Sequence, residues 1–160
     1  MRRFAIVAVM AGASLLPGCW LSHDGVDVAA FDAGLEELRD EAIRHDANAR
    51  RASSREGLRL ELDRHDRAAA DALHTTRHAM DGMDCGGSLA GMRERVGELG
   101  PMIEQHRLEV EATSSLELAK AACTRHRDET IVRVEQLEAQ ADGLSCDGGH
   151  MGHMDGMGWR

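Results

Sequence analysis

Nine histidines lie in this 160-residue chain, and the spacing of four of them bears on chemistry. A shift of the sequence by 61 lays His45 on His106 and His65 on His126. The same shift lays Ser53-Ser54 on Ser114-Ser115, Glu56 on Glu117, Asp81-Gly82 on Asp142-Gly143, and Cys85 on Cys146. Self-similarity at a fixed offset marks a repeated structural unit, here residues 28–87 and 88–148. Imidazole is a good ligand for copper, zinc, nickel and iron, so a repeated His is first a candidate metal ligand. A lone inward His is ordinarily a core residue satisfied by one hydrogen bond. Four at repeat-related positions add weight to the metal reading, and a polar network of His, Glu and Ser is the other way to satisfy them.

The elements that must position these residues are helices. Phe31, Leu35, Leu38, Ala42, His45 and Ala49 recur at steps of four and three, the pattern of one apolar helix face. Leu58, Leu62, His65, Ala69, Ala72, Thr76, Met80 and Met83 follow the same steps. So do Met92, Val96, Leu99, Ile103, His106 and Val110, and then Leu116, Ala119, Cys123, His126, Thr130, Val134, Leu137, Ala141 and Leu144. Each stripe carries one inward His. Ser53-Ser54-Arg55-Glu56 and Ser114-Ser115-Leu116-Glu117 fit the S-x-x-E capping box of a helix start. Asp81-Gly82 and Asp142-Gly143 fit helix stops with a left-handed glycine. The expected fold is therefore all-α: an antiparallel up-down-up-down four-helix bundle made of two repeated hairpins, with helices over 28–51, 54–82, 89–112 and 115–143. Gly97, Gly100 and Pro101 predict a kink or a restart in the third.

That topology brings the two imidazoles of each hairpin to within about one or two turns of the same height, so that the four are able to converge in the core, where each unsatisfied polar group costs about 1–3 kcal/mol. Glu41 and Glu61 stand four residues before His45 and His65, on the same helix sides, as candidate second ligands or orienting groups. Their counterparts in the second half are Met102 and Ala122. Glu-x-x-His, the di-iron bundle signature, is absent, and so is the C-x-x-C-H haem attachment motif. Cys85 and Cys146, repeat mates at helix ends that point the same way, are expected to form a disulfide. Cys123 is either a small apolar filler or, one turn from His126, a further ligand.

The segment from Cys146 to Arg160 is CDGGHMGHMDGMGWR. His150, Met151, His153, Met154 and Met157 offer imidazole and thioether donors on a Gly-rich chain, and thioether selects Cu(I). This stretch resembles the Met/His-rich segments of periplasmic copper-handling proteins. A second set, His74, His78, Met80 and Met83, is expected at the same end of the bundle.

Arg2 and Arg3 precede an apolar run from Phe4 to Leu16 that is too short for a permanent membrane span and reads as an export signal. Leu16-Pro17-Gly18-Cys19 follows and resembles the lipobox of bacterial lipoproteins, with Pro17 where Ala or Ser is more usual. The resemblance implies cleavage after residue 18, a lipid on Cys19, a short lipidated linker over 19–27, the bundle over 28–145, and a flexible tail over 146–160. Trp20, rather than Asp, after the Cys implies the outer membrane, facing the periplasm. A formal net charge of −9 leaves no electrostatic case for nucleic acid.

These readings combine into a lipid-anchored envelope protein that binds transition metal, copper favoured over zinc, nickel or iron, in storage, buffering or resistance. Two others stay open: a structural or protein-interaction lipoprotein without metal, and a redox carrier using metal or haem. No nucleophile-base-oxyanion arrangement or phosphate-binding glycine loop is present, which leans against an enzyme and leaves catalytic activity open.

Overall fold

A computed structural model describes residues 23–83, 85 and 88–144. Four helices account for nearly all of them: α1 (His23–Arg51), α2 (Arg55–Gly82), α3 (Ser88–Ala112) and α4 (Leu116–Ala141). Each packs on two neighbours, α1 on α2 and α4, α3 on α2 and α4, with the α1–α2 contact the most extensive. This closes the antiparallel four-helix bundle that the stripes predict. Among the described residues there is no strand, and no helix is long and apolar enough to cross a membrane.

The stripes form the core. Of the residues on them, only Ile103, Leu116, Ala141 and Leu144 are less than fully buried. The apolar part of the core divides in two. One cluster, around Phe31, Leu35, Met80, Leu99 and Leu137, fills the end where α2 passes to α3. The other, around Ala49, Leu58, Leu62, Val110 and Cys123, fills the end with the two hairpin turns. Each fully buried Leu or Phe is worth about 1.5–3 kcal/mol of transfer free energy, so both ends are held by apolar packing, and the histidines lie between them.

Helix punctuation departs from expectation in four places. The caps are Ser54 and Ser115, one residue later than the capping boxes require. Ser54 Oγ accepts from the Gly57 amide at 3.1 Å and Ser115 Oγ from the Leu118 amide at 3.4 Å. Glu56 and Glu117 thus fall in the first turn, where they favour the helix dipole instead of closing a box. Neither Gly82 nor Gly143 takes a left-handed conformation. α2 ends through extended backbone at Met83, and α4 through a turn in which the Asp142 amide donates to the Glu138 carbonyl at 2.9 Å. α3 runs unbroken through Pro101. The proline is exposed, as is Gly97, whose carbonyl it cannot bond. Finally, α1 begins at His23, inside the stretch 19–27 read as linker; those first residues carry no apolar stripe, so periodicity did not reach them.

Cys85 is buried and disulfide-bonded; Cys146, its expected partner, lies outside the described residues. The lipobox with Cys19 and the tail donors His150, Met151, His153, Met154 and Met157 lie outside them too.

α1 and α2 approach closely at Gly34. A Cβ there would run into the Thr76 hydroxyl and lie 3.0 Å from the Thr76 backbone nitrogen, so the helices would have to part. Gly97, by contrast, faces open space. Gly34→Ala is expected to destabilise the protein by about 1–3 kcal/mol, and Gly97→Ala to stabilise it by about 0.5–1 kcal/mol. Urea unfolding of the two variants checks the opposite signs.

Candidate metal centre

The four histidines meet. His45 (α1), His65 (α2), His106 (α3) and His126 (α4) are each at most 4 % exposed. The rings form two stacks: His45 on His65 and His106 on His126, both with centroids 4.1 Å apart. Across the bundle the stacks meet edge to edge, and the Nε2 atoms of repeat mates come together. His45 Nε2 is 3.2 Å from His106 Nε2, and His65 Nε2 is 3.2 Å from His126 Nε2.

The first-hairpin histidines are held from behind. Glu41 accepts from His65 Nδ1 at 3.0 Å, and Glu61 accepts from His45 Nδ1 over a longer 3.4 Å. The pairing is crossed: each Glu serves the His of the other helix, not the one four residues along its own. Arg64 joins the two carboxylates. Its Nη1 and Nη2 donate to Glu41 at 2.9 and 2.7 Å, and its Nε donates to Glu61 at 2.9 Å. Burial alone would raise the Glu41 carboxyl, but the hydrogen bonds from His65 and Arg64 outweigh it and hold the group down at about 2. Burial likewise opposes ionisation of Glu61, and the bonds from Arg64 and Asn48 reverse the direction.

Ionised carboxylates only accept hydrogen bonds, so Nδ1 of both His45 and His65 carries a proton. A neutral His45 then turns its Nε2 lone pair into the core, and His106 donates to it from Nε2, which leaves the His106 Nδ1 as an acceptor. The Nδ1 atoms of His106 and His126 are buried and meet no hydrogen-bond partner among the described residues. Met102 and Ala122 stand where the first half has carboxylates, which explains the asymmetry. A cavity of about 100 Å³ between α3 and α4 reaches this side, with His106, His126, Glu109 and Glu129 in its lining.

Burial drives three imidazoles toward the neutral form. His45 is pushed down to about 4 by burial and by His65, His106 to about 2 by burial and by His126, and His126 to about 3 by burial and by His65. Neutral imidazole is the ligating form. Cys123, fully buried and a free thiol, completes a group with His45 and His106 whose three ligand atoms lie within 4.8 Å of one another. Burial pushes its thiol up to about 12.

The second donor set does not assemble. Met80 and Met83 are buried in the apolar cluster, while His74 and His78 are exposed, their rings nearly parallel at 6.3 Å. Helical periodicity separates them: the thioethers follow the core stripe and the two imidazoles lie off it. Sequence reasoning also missed Asp46. It is 3 % exposed and ties α1 to α4 by accepting from the Thr124 hydroxyl at 2.7 Å and pairing with Arg127. Its position beside an inward His was the available signal.

The neutral histidines make the metal-free fold sensitive to acid. In the unfolded chain each takes a proton at about 6.5, whereas in the fold His45, His106 and His126 resist protonation down to about 4, 2 and 3. Their contribution is complete above about pH 6.5 and falls as pH drops from there toward the folded values, by up to about 1.4 kcal/mol per pH unit per group. The urea midpoint of metal-free protein is expected to fall between pH 7.5 and 5, above the carboxylate range; an unchanged midpoint would contradict buried neutral imidazoles.

Comparisons with protein-family models, with curated proteins and with solved structures find no match to this chain, so its chemistry is read from its own residues.

Proposed function

We propose that this chain is a lipid-anchored protein of the bacterial envelope, at the outer membrane, that binds a transition metal in storage, buffering or resistance, copper before zinc, nickel or iron. His45, His65, His106 and His126 form the structured site, and the tail with His150, Met151, His153, Met154 and Met157 collects ions more weakly. The observation that carries the reading is the pair of 3.2 Å Nε2 contacts at the bundle centre. Two nitrogens bound tetrahedrally at about 2.0 Å stand about 3.3 Å apart, so the rings need little movement to share an ion.

The surrounding residues support the same reading. Metal-ligating histidines characteristically donate their second N–H to a carboxylate, which fixes the tautomer and ring orientation. Glu61 and Glu41 do this for His45 and His65, and Arg64 keeps both carboxylates in place. A bound ion supplies the partner for which the four Nε2 atoms otherwise rely on each other. For His106, ligation moves the ring proton from Nε2 to Nδ1, and the ring lines the α3–α4 cavity together with Glu109 and Glu129.

Ring spacing favours an ion over haem. An iron between two axial imidazoles separates their nitrogens by about 4 Å, against 3.2 Å here, and the stacked rings occupy the space a macrocycle would need. A purely structural network has less support, because it leaves the Nδ1 atoms of His106 and His126 without partners.

Protein purified without a His-tag and exposed to copper, zinc, nickel or iron is expected to retain one of them stoichiometrically by elemental analysis. Changing His45, His65, His106 and His126 together to Ala is expected to abolish that retention, and deleting residues 146–160 to spare it. A wild type that holds none of the four overturns the proposal.

A further inference from the structure

We propose that Cys123 is a metal ligand, and that His45 Nε2, His106 Nε2 and Cys123 Sγ form a three-donor site for Cu(I) in which the thiolate distinguishes one His pair from the other. The inference rests on the metal-binding reading above and assigns the ion and the third donor.

Geometry singles out this trio. Among the described residues it is the one group of three or more His, Cys, Asp and Glu side chains whose ligand atoms all lie within 4.8 Å of one another. Cys123 precedes His126 by three residues on α4, so its side chain lies one turn toward the hairpin-turn end. There it packs with Ala49, Leu58, Leu62 and Val110. It therefore caps the His45–His106 pair and not the His65–His126 pair. All three residues are at most 4 % exposed, and the thiol is free.

Charge decides the ion. A thiolate and imidazoles suit a soft or borderline ion, Cu(I) or zinc. The site lies where the histidine layer meets the apolar cluster around Cys123, and an uncompensated buried charge is costly. One Cu(I) added to two neutral imidazoles and one thiol displaces the thiol proton to solvent: the S–H bond breaks, the S–Cu bond forms, and no electron is transferred. The charge of the site is the same before and after, whereas a divalent ion would leave a net positive charge there.

The test is anaerobic titration of the full-length protein with Cu(I) delivered from a chromophoric chelator, with accessible thiols first alkylated in the folded state so that the buried Cys123 remains. The expected result is a near-ultraviolet thiolate-to-copper band that saturates at one equivalent. In Cys123→Ser, with wild-type helicity by circular dichroism, the band is lost and Cu(I) is held more weakly by more than roughly tenfold, the lower end of what losing even an outer partner costs. Should Cys123→Ser fail to fold, the band in the alkylated wild type carries the test. A wild type that binds Cu(I) without the band, or a variant that keeps both band and affinity, overturns the role of Cys123 and leaves the histidine centre standing. A chain that takes up no Cu(I) and no other ion overturns both.

Discussion

Everything at the middle of this bundle follows from one constraint: four imidazoles buried at one level must satisfy one another. Between two apolar clusters the rings are shut away from bulk solvent, so each has to find its partner inside. Stacking at 4.1 Å within each half and Nε2 contacts of 3.2 Å between halves are the result. The contacting nitrogens belong to repeat mates, separated by 61 residues in both pairs. The repeat thus places equivalent side chains face to face across a local two-fold, as an isologous interface does between subunits.

The two halves then diverge in how they support that layer. The first hairpin spends a buried Glu41, a half-buried Glu61 and Arg64 on holding the Nδ1–H groups of His65 and His45. These three groups form one network, and removing a single member of such a network strands the others. The second hairpin has no such carboxylates behind its histidines and leaves the Nδ1 atoms of His106 and His126 without a partner among the described residues. One side of the centre is anchored by charged hydrogen bonds and the other is not. A site that must release ions as well as bind them benefits from that division, which is consistent with the proposed role in buffering or storage.

Much of this was legible in the sequence, for physical reasons. Helical periodicity is strict, so Leu35, Leu62, Leu99 and Leu137 declare the inward face, and His45, His65, His106 and His126 share it. The repeat declares which histidines correspond. What was not legible depends on the relative height and rotation of two helices. Glu41 is one turn from His45 in sequence, yet it bonds His65, because crossing between helices brings that ring nearer. Tandem serines hid the cap by one residue. Met80 and Met83 looked like donors by composition, but their places on the stripe bury them. Asp46 broke the rule that buried positions are apolar, and only its contacts with Thr124 and Arg127 across to α4 explain it.

The central claim is that the histidine layer is where an ion binds. Anomalous scattering from crystals of the copper-loaded protein, collected at the copper edge, tests it most directly. The account predicts a peak at the bundle centre within about 2.1 Å of at least two of the four Nε2 atoms. Peaks confined to the surface near His74 and His78 or to the tail, with the four rings still in mutual contact, would contradict it.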